Sequence, residues 1–221
     1  MAGVVSLPAT PIKGSRHDLS SNRTPGSTQV CLFCHTPHNA NLNLGSAKVP
    51  LWNRYVDTAK VYTVYTSSSL INTPGSPGST RSAVCLGCHD GTMATAMVLG
   101  NTVSDKHDLL NVPTGDAEAY FGENCLRCHT SRYGGSSTVR GEVKFGTNLN
   151  RMHPIAISYP TSAQSSDYRI PTDAKNGWTD LLLFNGRVEC STCHSVHDPA
   201  ISPFLRKSNN ASALCLSCHI Q

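Results

Sequence analysis

Aromatic residues make up only 6% of the 221-residue chain and charged residues only 14%, and no long apolar run is present. The most apolar stretches, Met93 to Leu99 and Leu181 to Phe184, fall far short of the roughly 18 residues a spanning helix requires, so no membrane span is expected. Basic residues are scattered without a run of five, which gives no reason to expect a nucleic-acid partner. Residues Met1 to Ala9 lack the basic start and the apolar run of a signal peptide. Two readings follow: the numbering starts at a mature end, or the protein stays in the cytosol. Apolar residues reach 38%, a figure that includes ten cysteines. If those cysteines are used covalently, little is left to build a core. A net charge of +4 is nevertheless too small for a disordered chain. The composition predicts that something other than side chains fills part of the interior.

The cysteines supply it. All ten fall into five C-x-x-C pairs, each followed at once by histidine: Cys31/Cys34/His35, Cys85/Cys88/His89, Cys125/Cys128/His129, Cys190/Cys193/His194 and Cys215/Cys218/His219. C-x-x-C-H is the attachment signature of c-type haem. Two thiols add across the haem vinyl groups, and the next residue projects its imidazole onto the iron as proximal ligand. Zinc ribbons repeat C-x-x-C but do not require the histidine. A disulfide framework leaves the histidines equally unexplained, and a thioredoxin-like site needs one copy in a βαβ context. The reading is five covalently bound haem c groups with their iron.

Ten histidines are present, and five are proximal. The other five, His17, His38, His107, His153 and His197, match the number of distal positions, which predicts bis-histidine, six-coordinate iron throughout. Methionine is the alternative axial ligand, with Met93, Met97 and Met152 as candidates. His38 and His197 follow proximal ligands by three residues, a spacing that shares one side of a helical turn. Such a side chain cannot reach the far face of the same porphyrin, so each is expected to ligate a neighbouring haem. His17 and His107 share the tripeptide His-Asp-Leu, in which the aspartate could hold the imidazole N–H. His153 precedes Pro154, which stiffens the backbone.

With so little protein per haem, the expected fold is mostly irregular coil with short α-helices and little or no β-sheet, one pentahaem domain over residues 1–221. Short helices are predicted around Ala83–Leu99, Asp116–Thr130 and Ala211–His219. Thr66–Ser82 and Gly134–Ser137 read as surface loops rich in turn residues, and Tyr159 to Thr172 as a long connection.

The segments GSRHDLS, CLFCHTPHNA, PLWNR, CLGCHDG, RMHPI, VECSTCHSVHDP and FLRKSNNASALCLSCH resemble the doubled-CxxCH multihaem cytochromes. Within that group they look most like the outer-surface cytochromes that polymerise into extracellular conductive filaments. The resemblance implies a continuous haem chain and a homopolymer in which His17 ligates a haem of the adjacent subunit. Five haems departs from the even counts usual among those filaments.

Electron transfer is the expected function, with redox proteins or extracellular acceptors as partners. A bis-histidine iron has no open position for substrate, so no catalytic residue is expected. A multihaem enzyme, such as a nitrite- or hydroxylamine-converting cytochrome, would need one open iron. A soluble periplasmic shuttle competes with the filament subunit. Because c-type maturation occurs outside the cytoplasmic membrane, the missing signal peptide reads as cleaved, and the protein as extracellular or at the cell surface, with the periplasm as the alternative. Haem propionates would also turn the mildly basic polypeptide into a near-neutral or acidic holoprotein.

Overall fold

A computed structural model describes residues 12–18, 30–38, 40–41, 49–54, 56–90 and 146–220. Regular structure among them is scarce: two short α-helices, a two-stranded sheet and single turns of 3-10 helix, joined by irregular backbone. The fold is therefore the coil-rich, sheet-poor one that the composition predicts. No helix among the described residues is long and apolar enough to cross a membrane. The chain divides into two units, one of Met1–His17, Val64–Gly75 and Asn150–Gln221, the other of Asp18–Thr63 and Ser76–Leu149.

In the second of these units the first cysteine motif opens in a 3-10 turn, Val30–Phe33. Helix α1, Ala83–His89, carries the second motif and ends at Asp90. Ala83 and Leu86, three apart and so on one side of the helix, are its buried positions. Ala83 packs on Val56, with Val49, Trp52 and Val84 around them. Residues 91–99 of the expected helix lie outside the described residues. A 3-10 turn at Pro77–Ser79 has proline in its first position, where the fixed φ suits a helical start. Pro77, Gly78, Thr80 and Ser82 are buried, so this end of the stretch read as a surface loop is instead interior. The reason is local: a Cβ on Gly78 would stand 2.7 Å from the carbonyl oxygen of Lys60, and only glycine allows that approach.

The unit holding residues 150–220 is built around a small sheet, β1 (Ile157–Ser158) antiparallel to β2 (Arg187–Val188), with Ile157 opposite Val188. Asn185 and Gly186, both at positive φ (54° and 74°), turn the chain into β2. This is the Asn-Gly turn whose twist matches that of paired strands, closed by hydrogen bonds in both directions between Phe184 and Arg187. Ile157, Tyr159, Leu183 and Val188 form one buried cluster, with Leu70, Tyr168 and Trp178 packed against it. Ala156, Leu181 and Phe204 are also buried in this unit, and the core stays small, as the low apolar content predicts.

Helix α2, Cys190–Cys193, is one turn started by a capping box between Glu189 and Thr192. Tyr159 to Thr172 is a connection, though Tyr159 itself is buried. The helix expected over Ala211–His219 does not form. Two separate 3-10 turns, Asn210–Ser212 and Cys215–Ser217, take its place. Ala211 and Ser212 sit at φ 49° and 61°, a left-handed conformation that no α-helix continues through.

Candidate haem attachment sites

Four of the five motifs lie among the described residues. Cys125, Cys128, His129, the distal candidate His107, the helix predicted at Asp116–Thr130, the loop at Gly134–Ser137, and Met93 and Met97 lie outside them. The eight described cysteines are all free thiols, none bridged to another. Cys31, Cys88 and Cys215 are exposed, although cysteine is ordinarily among the most buried residues. Burial pushes the thiols of Cys34 and Cys193 up from their ordinary pKa, and that of Cys218 up to about 11. Burial of those sulfurs disfavours a thiolate. The four described motifs also come in neighbouring pairs. Cys34 lies close enough to Cys88, and Cys193 to Cys215 and Cys218, for a charge on one sulfur to act on the next.

Three of the motifs are held by one repeated device. The histidine makes an isolated antiparallel bridge to a distant residue: His35 to Trp52, His194 to Leu205 and His219 to Tyr168. In each clamp the residue after the histidine donates its N–H to the carbonyl preceding the bridging residue. These bonds are Thr36 to Leu51 (2.8 Å), Ser195 to Phe204 (2.8 Å) and Ile220 to Asp167 (2.8 Å). The residue after the bridging residue donates to the carbonyl of the motif's second cysteine: Asn53 to Cys34 (3.0 Å), Arg206 to Cys193 (2.9 Å) and Arg169 to Cys218 (2.8 Å). Two clamps share a further detail. Nδ1 of His35 bonds the carbonyl of Pro50 at 2.8 Å, and Nδ1 of His194 that of Pro203 at 3.0 Å. The residues after those prolines, Leu51 and Phe204, are both left-handed, at φ 55° and 61°.

A second pair of anchors is repeated in the C-terminal clamps. Arg206 donates from Nε to the carbonyl of Ser191 at 2.8 Å, and Arg169 to that of Leu216 at 2.7 Å. Ser191 and Leu216 are the first residues inside their C-x-x-C pairs. The buried Tyr159 adds its hydroxyl, which donates to the carbonyls of Arg169 (2.8 Å) and Cys218 (3.1 Å); burial pushes this phenol's pKa up. Sequence reasoning passed over Trp52, Tyr159, Arg169 and Arg206. The repeat of Pro50-Leu51-Trp52 in Pro203-Phe204-Leu205, each downstream of a motif, was the available signal.

His89 is different, because it remains within α1. The next residue, Asp90, is buried and receives hydrogen bonds from Lys60 Nζ and from the hydroxyl of Tyr62 (2.8 Å).

The distal candidates are unevenly placed. His38 and His197 are exposed, and neither shares a helical turn with its proximal histidine. His194 is extended (φ −113°, ψ 146°), drawn out of the helix by its clamp. His197 then falls in a turn closed by the Asp198 N–H on the Ser195 carbonyl at 3.0 Å. The ring of His17 stands edge-on to that of Phe204, 4.6 Å between centroids, and Asp18 beside it is buried. His153 is exposed and lies next to His219, with ring centroids 6.4 Å apart. Burial, and then His153, hold the pKa of His219 below its ordinary value and so favour the neutral imidazole, the form that binds metal.

These residues fit a covalently attached haem. An unbridged cysteine pair precedes the imidazole of each described motif, and the Nδ1 bonds of His35 and His194 leave Nε2 as the ligating nitrogen. The indole N–H of Trp52, edge-on to His35 at 6.0 Å, is buried with no acceptor among the described residues, which suits a neighbouring group bearing oxygen. Residues 184–221 match the family described as Doubled CXXCH motif. The match supports haem c with its iron at the last two motifs, and a multihaem c-type cytochrome that carries electrons. No curated protein matches the chain.

Proposed function

We propose that the protein is an electron-transfer cytochrome with five covalent bis-histidine haems, and that it is a subunit of an extracellular filament made of its own copies. The observation that carries the electron-transfer reading is the thrice-repeated clamp, which fixes the backbone of a motif histidine and of its second cysteine together. When bound, haem iron supplies one-electron redox chemistry and no more is required of it. The chain's own residues attach the ring through cysteine, set the imidazole tautomer through the Pro50 and Pro203 carbonyls, and keep the ligand from turning. Rigid ligands change little between oxidation states, which suits a carrier rather than an enzyme. The filament reading is supported by the resemblance of the quoted segments, which makes His17 the candidate ligand between subunits.

One observation favours the second reading, a soluble periplasmic shuttle: His17 already packs on Phe204 of its own chain. Electron microscopy of the purified holoprotein separates the two, since a filament subunit gives polymers and a shuttle single particles. Intact mass is expected to show five haems, and ferric spectra to show low-spin iron only. The variant His17→Ala is expected to acquire one five-coordinate haem and to stop assembling. A variant that still polymerises with every haem low-spin rules out His17 as the ligand between subunits.

A further inference from the structure

Two imidazoles lie close together in the unit that holds residues 150–220. The rings of His153 and His219 are 6.4 Å apart, with their planes crossed at 72°. His219 belongs to the last cysteine motif, and His153 comes from Arg151-Met152-His153-Pro154 at the other end of this stretch of chain. The separation is that of two imidazoles on opposite sides of one metal ion. Metal–nitrogen bonds of about 2.0–2.1 Å, continued through each ring to its centre, place the centroids roughly 6.3 Å apart.

Edge-to-face ring packing spans 4.5–7 Å as well, so the surroundings have to decide. Apolar packing does not hold His153 where it is, because the residue is exposed. Its Nδ1 bonds the carbonyl of Pro154 at 2.9 Å. A ring nitrogen so engaged sets the tautomer and leaves Nε2 to a metal. His219 is fixed independently, by its backbone bridge to Tyr168 and by that residue's ring at 4.9 Å. Both imidazoles are thus oriented by separate parts of the chain and brought to a ligand-to-ligand spacing.

The geometry points to His153 as the axial ligand opposite His219 on the haem carried by Cys215 and Cys218, with crossed imidazole planes at that iron. This assignment rests on the cofactor reading above. Crossed planes leave two iron d orbitals nearly degenerate, whereas parallel planes separate them. The ferric holoprotein should therefore show one highly anisotropic low-spin signal with a single large g value, distinct from the rhombic signals of parallel ligands.

The test is electron paramagnetic resonance on the full-length holoprotein and on two variants. In His153→Ala the large-g signal is expected to vanish, one haem equivalent to become high-spin, and added imidazole to restore low-spin iron. In His153→Met the iron is expected to stay six-coordinate while one step of the redox titration moves to higher potential, as methionine ligation does. A His153→Ala protein with every haem low-spin and the large-g signal intact overturns the assignment. Should neither variant accumulate, wild-type spectra containing only rhombic signals overturn it equally. Peptide mapping keeps the two failures apart. Bare thiols at Cys215 and Cys218 sink the cofactor reading itself, while haem-bearing cysteines with an unchanged spectrum sink only the His153 ligation.

Discussion

The motif at Cys85–His89 and the motif at Cys190–His194 begin alike, each with its cysteines on a short helix. They part at the histidine. His89 stays helical, and the residue after it is buried against Lys60 and Tyr62. His194 leaves the helix, extends, and is gripped by Pro203 to Arg206. The same five-residue signature is thus immobilised once by a buried ion pair behind a helix and once by backbone pairing to a distant segment. The signature specifies the covalent chemistry; how the imidazole is kept still depends on what the rest of the chain offers nearby.

Removing the ion pair tests the first arrangement most severely. Asp90→Ala would leave the Lys60 ammonium and the Tyr62 hydroxyl without this partner in a site where the carboxylate side chain is fully buried. Breaking a buried pair from one side costs about 3–5 kcal/mol, and the low end applies because Lys60 keeps 21% of its surface. Urea unfolding followed by haem absorbance should show that loss, with the spectrum of the Cys190 haem unchanged in the native state. A loss below about 1 kcal/mol, the range of an exposed pair, would show that α1 holds His89 without help.

The clamp is tested next by Arg206→Met, which keeps the apolar stem and deletes the Nε bond to Ser191. A hydrogen bond from a charged group contributes about 1.5–3 kcal/mol, and partial exposure of this one places the expected loss near the lower figure. Arg169→Met repeats the experiment at Cys215–His219. If both variants lose similar stability while Asp90→Ala leaves those haems alone, the clamps are independent copies of one device. Thr192→Val deletes half of the capping box before Cys193, and a lost cap costs about 1 kcal/mol, measurable as a shift of the same transition.

How far these features are legible in the sequence follows from their range. C-x-x-C-H is local covalent chemistry, so it can be read directly, and the scarcity of apolar side chains foretells the small core around Ile157 and Val188. Periodicity misleads where a clamp or a left-handed residue intervenes. The spacing of His194 and His197 suggests a helical turn, yet the pairing with Leu205 pulls His194 into extended backbone. The pattern at Ala211–His219 suggests a helix, yet Ala211 and Ser212 break it. The clamps themselves rest on carbonyl and amide groups, which every residue carries, so no residue type announces them. Asn185-Gly186 is the exception, a turn signal that could have placed the hairpin feeding β2. The proximity of His153 to His219 is a product of tertiary folding, and histidine counting alone could only match numbers.

The smallest expected effect sharpens the comparison furthest, because it uses the same residue types as the largest. Lys207 follows the clamp residue Arg206 and pairs with Asp180 at 3.1 Å, but both side chains are well exposed, 38% and 55%. Water already solvates each charge there, and holding two mobile side chains together sacrifices entropy. An exposed pair of this kind contributes about 0.2–1 kcal/mol, and added salt weakens it as screening shortens to about 3 Å at 1 M. Asp180→Asn should therefore shift the unfolding transition barely at low salt and not at all at high salt, while the Asp90→Ala deficit persists at both. Equal losses for the two variants would mean that burial of Asp90 is not what distinguishes the helix-borne histidine from the clamped one.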